Sequence, residues 1–371
     1  MKPIRILNLF TIMDRGGAET MVMNYYRHID RNRIQFDFIV HRDKKGAYDD
    51  EIRELGGRIF HFPPIRPWSA HTYRKQIYAF LKSHPEYRII HSNMSELGYD
   101  AFKEAAKLHV PVLINHAHLA PHGIDIKSPF RWYMKTNMRH YTTHMFTCSQ
   151  AAGDWLYGKK NRPYFIQMNN AIDTDLFKYN ETVRKEVRHE LNIGDNQLVI
   201  GHVGRFDLQK NHQFIIDIFH ELHNMNKESV LILVGTGKLI DRIKEKVKEL
   251  HLEDSVMFLG VRSDVNRLMQ AFDAFLFPSL FEGLPVTLVE AQAAGLPILM
   301  SDSIPKDCII TNQIKSLSLD LSAQEWALSL LNEVKNFYRK DTSDLIKEAG
   351  FDICSNAHWL EKKYEELYYE Q

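Results

Sequence analysis

Cysteine is scarce. Three residues in 371, Cys148, Cys308 and Cys354, are odd in number and far apart. They form no disulfide framework and no cysteine metal cluster, which suits a reducing compartment, so a cytoplasmic location is expected. No apolar run approaches the ~20 residues of a helical membrane span. Near the N-terminus Lys2 and Arg5 precede Leu7-Asn8-Leu9-Phe10, a faint likeness to a signal peptide. Asn8 interrupts the apolar run, Asp14-Arg15 follow, and a small-x-small cleavage site is missing, so a first buried strand is expected instead. Internal repeats and low-complexity tracts are absent. Net charge is also absent, at 47 Lys+Arg against 47 Asp+Glu, but the balance is uneven along the chain. Residues 1–170 carry 25 cations against 15 anions, and residues 171–371 carry 22 against 32. The first half should therefore meet something negative: an anionic membrane surface, a phosphate-bearing acceptor or the acidic second half. No nucleic-acid module accompanies this charge, so nucleic acid is not expected as a partner.

What is present is material for two soluble globular domains, with 44% hydrophobic and 25% charged residues. Short apolar runs alternate with helical patterns. Strands are expected near 4–10, 36–40, 58–61, 88–91, 112–115, 145–147 and 164–168, then near 198–203, 229–234, 256–259, 274–277, 297–300 and 316–318. Uniformly apolar strands separated by helices predict parallel sheets covered on both faces. Two doubly wound, Rossmann-like α/β domains in series would leave a cleft at the carboxyl ends of their strands. Turn-forming Asn and Asp residues put the seam near 170–180, giving domains 1–172 and 173–353. An amphipathic helix is expected at about 356–369.

The most informative stretch is Phe281-Glu282-Gly283-Leu284-Pro285-Val286-Thr287-Leu288-Val289-Glu290. Glu282 lies in a Gly/Pro loop and Glu290 on the helix that the loop starts. Pro285 suits a first helical turn, and the helix N-terminus offers free N–H groups to a diphosphate. Upstream, Gly201-His202-Val203-Gly204-Arg205-Phe206 ends a strand and Lys210 follows, placing two cations at that strand end. Fixed cations there stabilise a departing diphosphate. Gly235-Thr236-Gly237 ends the next strand. It lacks the third glycine of a dinucleotide fingerprint, which disfavours NAD. Val261 follows the strand after that.

In the first half Arg15-Gly16-Gly17-Ala18-Glu19 makes room for a ligand at another helix start. His116 and His118 lie at and just past a strand end and would face the same way. Asn93 and Ser149 also follow strands, and Ser149 reads equally as a helix cap. Asp173-Thr174-Asp175 resembles a metal-binding Asp-x-Asp but lies away from the phosphate machinery, so these are read as turn or capping residues and no metal is expected. Lys127, Arg131, Lys135 and Arg139 recur every four residues among aromatic residues, a pattern that fits an anionic membrane as well as an ordinary solvated face.

The Glu282–Glu290 spacing, the Arg205/Lys210 pair and the Gly16-Gly17 loop resemble the retaining glycosyltransferases of family four (glycosyl transferases group 1, of the bacterial exopolysaccharide and capsule type), which have the GT-B fold. The resemblance spans nearly the whole chain and is strongest over 201–302. It implies an acceptor domain at 1–172, onto which a helix at about 354–371 packs back, and a donor domain at 173–353. Ala171 stands where the family has an interdomain glycine. The resemblance implies catalytic roles for His116, Arg205, Lys210 and Glu282, with His118 as the rival to His116. Donor contacts would come from Gly16, Gly17, Gly204, Gly235, Gly237, Val261, Gly283, Leu284, Thr287, Leu288 and Glu290. Arg15, Asn93 and His118 would face the acceptor. The implied activity is metal-independent, retaining transfer of a hexosyl group from a nucleotide sugar, most often a UDP-sugar. The acceptor would be a hydroxyl of a glycan or lipid-linked saccharide, with possible peripheral contact at an anionic membrane. Two alternatives stand beside it: a nucleotide-sugar 2-epimerase on the same fold, and a non-catalytic partner subunit that binds nucleotide sugar.

Overall fold

A computed structural model of the protein describes residues 2–118, 128–335 and 337–370. The chain divides into two compact units: one runs to Ala171 and resumes at Asp352, and the other is Ile172–Phe351.

The first unit holds seven strands: β1 (Ile4–Phe10), β2 (Ile34–Val40), β3 (Ile59–His61), β4 (Ile89–Ser92), β5 (Val112–Ala117), β6 (His144–Thr147) and β7 (Phe165–Gln167). Their order is β3-β2-β1-β4-β5-β6-β7, and every pairing is parallel. Parallel strands alternate their side chains between two covered faces, so both faces must be apolar. Ile6, Ile89, Val112 and Ile114 point to one face, packed against Tyr25 and Tyr26 of helix Gly17–His28 and against Ile353, Leu360 and Tyr364 of helix Ile353–Tyr369. Leu7, Leu9, Ile90 and Leu113 point to the other, against Tyr73, Ile77, Phe102 and Met134. The helix Ile353–Tyr369 thus completes the core of the first unit, although all of the second unit precedes it in the chain.

The second unit has β8 (Leu198–Val203), β9 (Ser229–Val234), β10 (Val256–Gly260), β11 (Ala274–Phe277), β12 (Ile298–Ser301) and β13 (Ile314–Leu317), ordered β10-β9-β8-β11-β12-β13 and parallel throughout. Helix His212–Met225 buries Ile215, Phe219 and Leu222 beside Trp326, whose indole N–H donates to the Ser318 carbonyl at 3.0 Å.

Strand order reverses between β1 and β4 in one sheet and between β8 and β11 in the other. At such a switch point the connecting loops diverge to opposite faces and open a crevice at the carboxyl edge. The Gly16-Gly17 loop follows β1, and Asn93 follows β4. Arg205 and Lys210 follow β8, and Glu282 follows β11.

A shielded cation ties helix ends together at the amino edge of the second sheet, opposite its crevice. The Arg339 guanidinium donates to the carbonyls of Met269, Gln270, Phe272 and Ala294 at 2.7, 2.8, 3.1 and 2.6 Å. These carbonyls end helices Val265–Ala271 and Val286–Ala293, where the helix dipole is negative. Burial pulls the Arg339 pKa down to about 9, which still leaves it charged at neutral pH. Arg339→Met should cost ~3 kcal/mol of the second unit's stability, because it leaves carbonyls unpaired as well as removing the bonds. Urea unfolding followed by tryptophan fluorescence reads this directly, and a loss under ~1 kcal/mol would mean water replaces the guanidinium without strain.

Candidate active site

The loops after β8, β9 and β10 continue the sheet's pairing beyond the strands. Gly204 N–H donates to Val234 O at 2.9 Å, Phe206 N–H to Thr236 O at 3.0 Å and Gly235 N–H to Gly260 O at 2.7 Å. Gly235 has φ +135°, and a Cβ there would collide with the Gly204 carbonyl oxygen; one on Gly237 would collide with the Phe206 backbone. The space these two glycines provide is therefore filled by the neighbouring loop, and they let the two loops pack closely at the carboxyl edge. Val261, just past β10, is exposed.

Asp207 caps the short turn Leu208–Lys210, and Asn211 follows in the left-handed region at φ 54°. This turn aims Lys210 across the switch point. Its ammonium lies 2.7 Å from Glu282 Oε1, and Gln209 Nε2 donates to Glu282 Oε2 at 2.9 Å. Lys210 also sits 4.6 Å above the Phe277 ring. The pair is well shielded, with side-chain exposures of 14% for Lys210 and 7% for Glu282, so the attraction is little weakened by solvent. Arg205 lies on the same carboxyl edge, exposed and without an ion pair among the described residues.

Helix Val286–Ala293 has Pro285 as its N-cap, one position earlier than the sequence placed it. The Leu288 N–H turns back to Pro285 O at 3.1 Å, and the Leu288 side chain is fully buried. Leu288 is thus a packing residue whose amide is already bonded within the first turn. The amides of Val286 and Thr287 have no carbonyl ahead of them in the helix and remain for an anion. Gly283 and Leu284 are buried in the loop before them. Glu290 is one turn beyond Thr287 and half-buried, and no hydrogen bond to its carboxyl is made by the described residues. Burial pushes its carboxyl pKa up to about 7.

In the first unit Gly16 is the N-cap of helix Gly17–His28, and a Cβ on Gly17 would meet nothing within 4 Å. That glycine does face open space, beside an exposed Arg15.

The histidines divide. β5 runs to Ala117, two residues beyond the expected end, because His116 and Ala117 keep their ladder partners Phe146 and Thr147. His116 is therefore inside the sheet and fully buried. Its Nδ1 meets His91 Nε2 at 3.2 Å, and His91 Nδ1 meets the Tyr364 hydroxyl at 2.7 Å. His116, the first choice for the catalytic histidine, is thus a core residue linked through His91 to the helix Ile353–Tyr369, and its rival His118 lies just past the strand. The two rings stack at 4.0 Å.

His118 Nε2 lies 2.9 Å from Asn93 Oδ1, while Asn93 Nδ2 faces Asn8 Oδ1 and His91 O, both acceptors. The amide orientation makes His118 Nε2 the protonated nitrogen and leaves Nδ1 as a buried lone-pair acceptor with no hydrogen-bond partner among the described residues. Asn93, expected to face the acceptor, is occupied in fixing this tautomer. Burial lowers the His118 pKa to about 3 and that of His91, which also feels His118, to about 3; His116 is pushed well below its ordinary value. All three are neutral at physiological pH, so His118 can accept a hydroxyl proton in a hydrogen bond but does not arrive as an acid.

Ser149 accepts from Ala152 N–H as a helix cap, and Asp173 caps helix Thr174–Phe177. Asp175 pairs with Lys347 at 2.9 Å on the surface. The basic stripe is only partly a stripe. Lys127 lies outside the described residues. Arg131 binds Glu96 at 2.5 Å, Lys135 lies 4.1 Å over the Trp155 ring, and Arg139 remains exposed. Helix Ser128–Met138 instead displays Trp132 and Tyr133, at 68% and 51% exposure. Sequence reasoning missed Gln209, which carries no pattern of its own, and the His91–Tyr364 contact, which joins residues far apart in the chain.

Comparison with known proteins agrees with this geometry. The family "Glycosyl transferases group 1" matches residues 183–330, and "Glycosyltransferase Family 4" matches residues 15–176. The chain is 34% identical to the putative glycosyltransferase EpsF of Bacillus subtilis, over 97% of this chain and 96% of that one. It is 28% identical, over 51% of each chain, to an Escherichia coli UDP-Gal:alpha-D-GlcNAc-diphosphoundecaprenol alpha-1,3-galactosyltransferase. Among solved structures, Anabaena HepE in complex with UDP and glucose superposes with a TM-score of 0.77 at 20% identity, covering 98% of this chain and 99% of that one. With both halves matched and EpsF aligned along nearly its whole length, the chain belongs to the family-four, group 1 glycosyltransferases of the GT-B fold.

Proposed function

We propose that the protein transfers a hexosyl group, with retention and without a metal, from a UDP-sugar to a hydroxyl of a glycan or lipid-linked saccharide in surface polysaccharide assembly. The observation that carries this reading is the shielded Lys210–Glu282 pair at the β8/β11 switch point, next to the N-terminus of helix Val286–Ala293. The Val286 and Thr287 amides, Arg205 and Lys210 neutralise the diphosphate. Glu282 holds a sugar hydroxyl and Glu290 a ribose hydroxyl. His118 serves the acceptor side, in the first unit.

A neutral His118 does not protonate the leaving group. In a front-face route the C1–O bond to phosphate breaks, the acceptor oxygen bonds to C1, and its proton passes to the departing phosphate oxygen. The cations and helix tip then stabilise charge as it develops on the leaving group. Support for the donor and acceptor classes comes from the UDP bound to HepE and from the diphosphoundecaprenol-linked substrate in the name of the Escherichia coli relative.

Incubation with a panel of UDP- and GDP-sugars should give slow hydrolysis and thermal stabilisation with a UDP-sugar, undiminished in excess EDTA. No response to any sugar nucleotide overturns the reading, and complete loss in EDTA restored by Mn²⁺ overturns metal independence. Peripheral membrane contact would now rest on Trp132, Tyr133 and Arg139, since Arg131 and Lys135 are engaged within the unit. Flotation with anionic liposomes should fall on Trp132→Ala; equal flotation with neutral lipid removes the idea.

A further inference from the structure

Glu282 belongs to no helix or strand. It lies in the irregular run between β11 and helix Val286–Ala293, so its carboxylate is placed only by what it touches. Lys210 takes one oxygen and Gln209 the other. The two contacts differ in what a donor does to them. The Lys210 ammonium has three donors and full charge, so an arriving diphosphate competes for it. The Gln209 amide is neutral and is not drawn away.

The backbone around Gln209 is fixed as well. The Gln209 main-chain carbonyl accepts from Leu280 N–H at 2.8 Å, and two residues on Asn211 Nδ2 donates to Pro278 O at 3.2 Å. The loop after β8 is thus laced to alternate residues of the loop after β11, at 278, 280 and 282.

We propose that Gln209 is a positioning residue of the donor site: its amide keeps the Glu282 carboxylate aimed at the sugar hydroxyl while Lys210 turns to the diphosphate. This rests on the transfer reading above and adds a residue to it. The role predicts a separation between turnover and nucleotide affinity. Gln209→Met keeps the length and packing but has no donor, so the carboxylate is free to follow Lys210 toward the phosphate.

The test combines UDP-sugar hydrolysis, UDP titration calorimetry and urea unfolding. Gln209→Met should lower kcat about tenfold while leaving the UDP Kd within about twofold. Gln209→Glu should be worse at pH 8 than at pH 6, because two facing carboxylates share a proton more readily as the pH falls. In the ligand-free protein a double-mutant cycle of Gln209→Met with Glu282→Met should be non-additive in stability. Additive stabilities overturn the contact. Unchanged kcat in Gln209→Met, or kcat and Kd weakening in parallel with stability, overturns the positioning role alone. A wild type inert toward every sugar nucleotide overturns the transfer reading and this role with it.

Discussion

Lys210→Ala and Glu282→Ala should each lower turnover by on the order of 10²–10³-fold, and the double variant should be more stable than either single one. Each single change strands a charge. Glu282 is 7% exposed and Lys210 14%, so neither finds enough water to replace the lost partner. Leaving one unpaired costs about 2–4 kcal/mol, whereas removing both eliminates that penalty. Turnover does not recover in the double variant, because the diphosphate has lost its cation and the sugar its acceptor. The two singles also part in binding: Glu282→Ala keeps UDP affinity, and Lys210→Ala weakens it. Chemical unfolding, hydrolysis rate and calorimetry with UDP separate the three effects. Near-normal turnover in Glu282→Ala would remove that residue from the mechanism.

Glu290→Gln should stabilise the fold at pH 8 and weaken nucleotide binding. Burial lifts the Glu290 carboxyl from 4.5 to about 7. A raised carboxyl pKa means the folded protein holds its proton more tightly than the unfolded chain does. Stability tied to this group is therefore full below about pH 4.5 and is lost as the pH rises through 7. At pH 8 the shielded charge costs ~3 kcal/mol, which glutamine does not incur, and the advantage fades toward pH 4.5.

A ribose hydroxyl donating to Glu290 favours the ionised form. Wild-type UDP affinity should therefore rise through neutral pH and level off above it. Glu290→Gln should flatten that dependence and bind about 10-fold more weakly at pH 8, since a hydrogen bond to a charged group is worth ~1.5–3 kcal/mol. Calorimetry at several pH values, with the variant as control for the nucleotide's own titration, is the measurement. A wild-type profile identical to that of the variant would show that Glu290 does not meet the nucleotide.

Much of the architecture could be read from apolar runs, because parallel strands buried on both faces leave little room for polar side chains. β1, β8, β9 and β11 begin and end at the residues where those runs do. Side-chain placement was legible where it follows from strand order, as where Lys210 meets Glu282 at the β8/β11 switch point. It was not legible where a partner strand or a distant side chain decides. β5 continues through His116 because β6 offers Phe146 and Thr147 to pair with, and nothing within Asn115-His116-Ala117-His118 signals this. Arg131 and Lys135 have the spacing of a solvated face, but Glu96 and Trp155 claim them from other parts of the chain. Gly235 and Gly237 announce a close approach, and the sequence does not say that the approaching group is another loop.

The return of helix Ile353–Tyr369 to the first sheet sets an order of events during synthesis. Ile6, Ile89 and Ile114 emerge early from the ribosome, but the surface of Leu360 and Tyr364 that covers them is made only after residues 172–351. The inserted unit is contiguous and can collapse while its host still waits with one apolar flank uncovered. A premature stop just after Phe351 would therefore damage the half of the protein farthest upstream, leaving the second unit intact but tethered to an aggregation-prone partner.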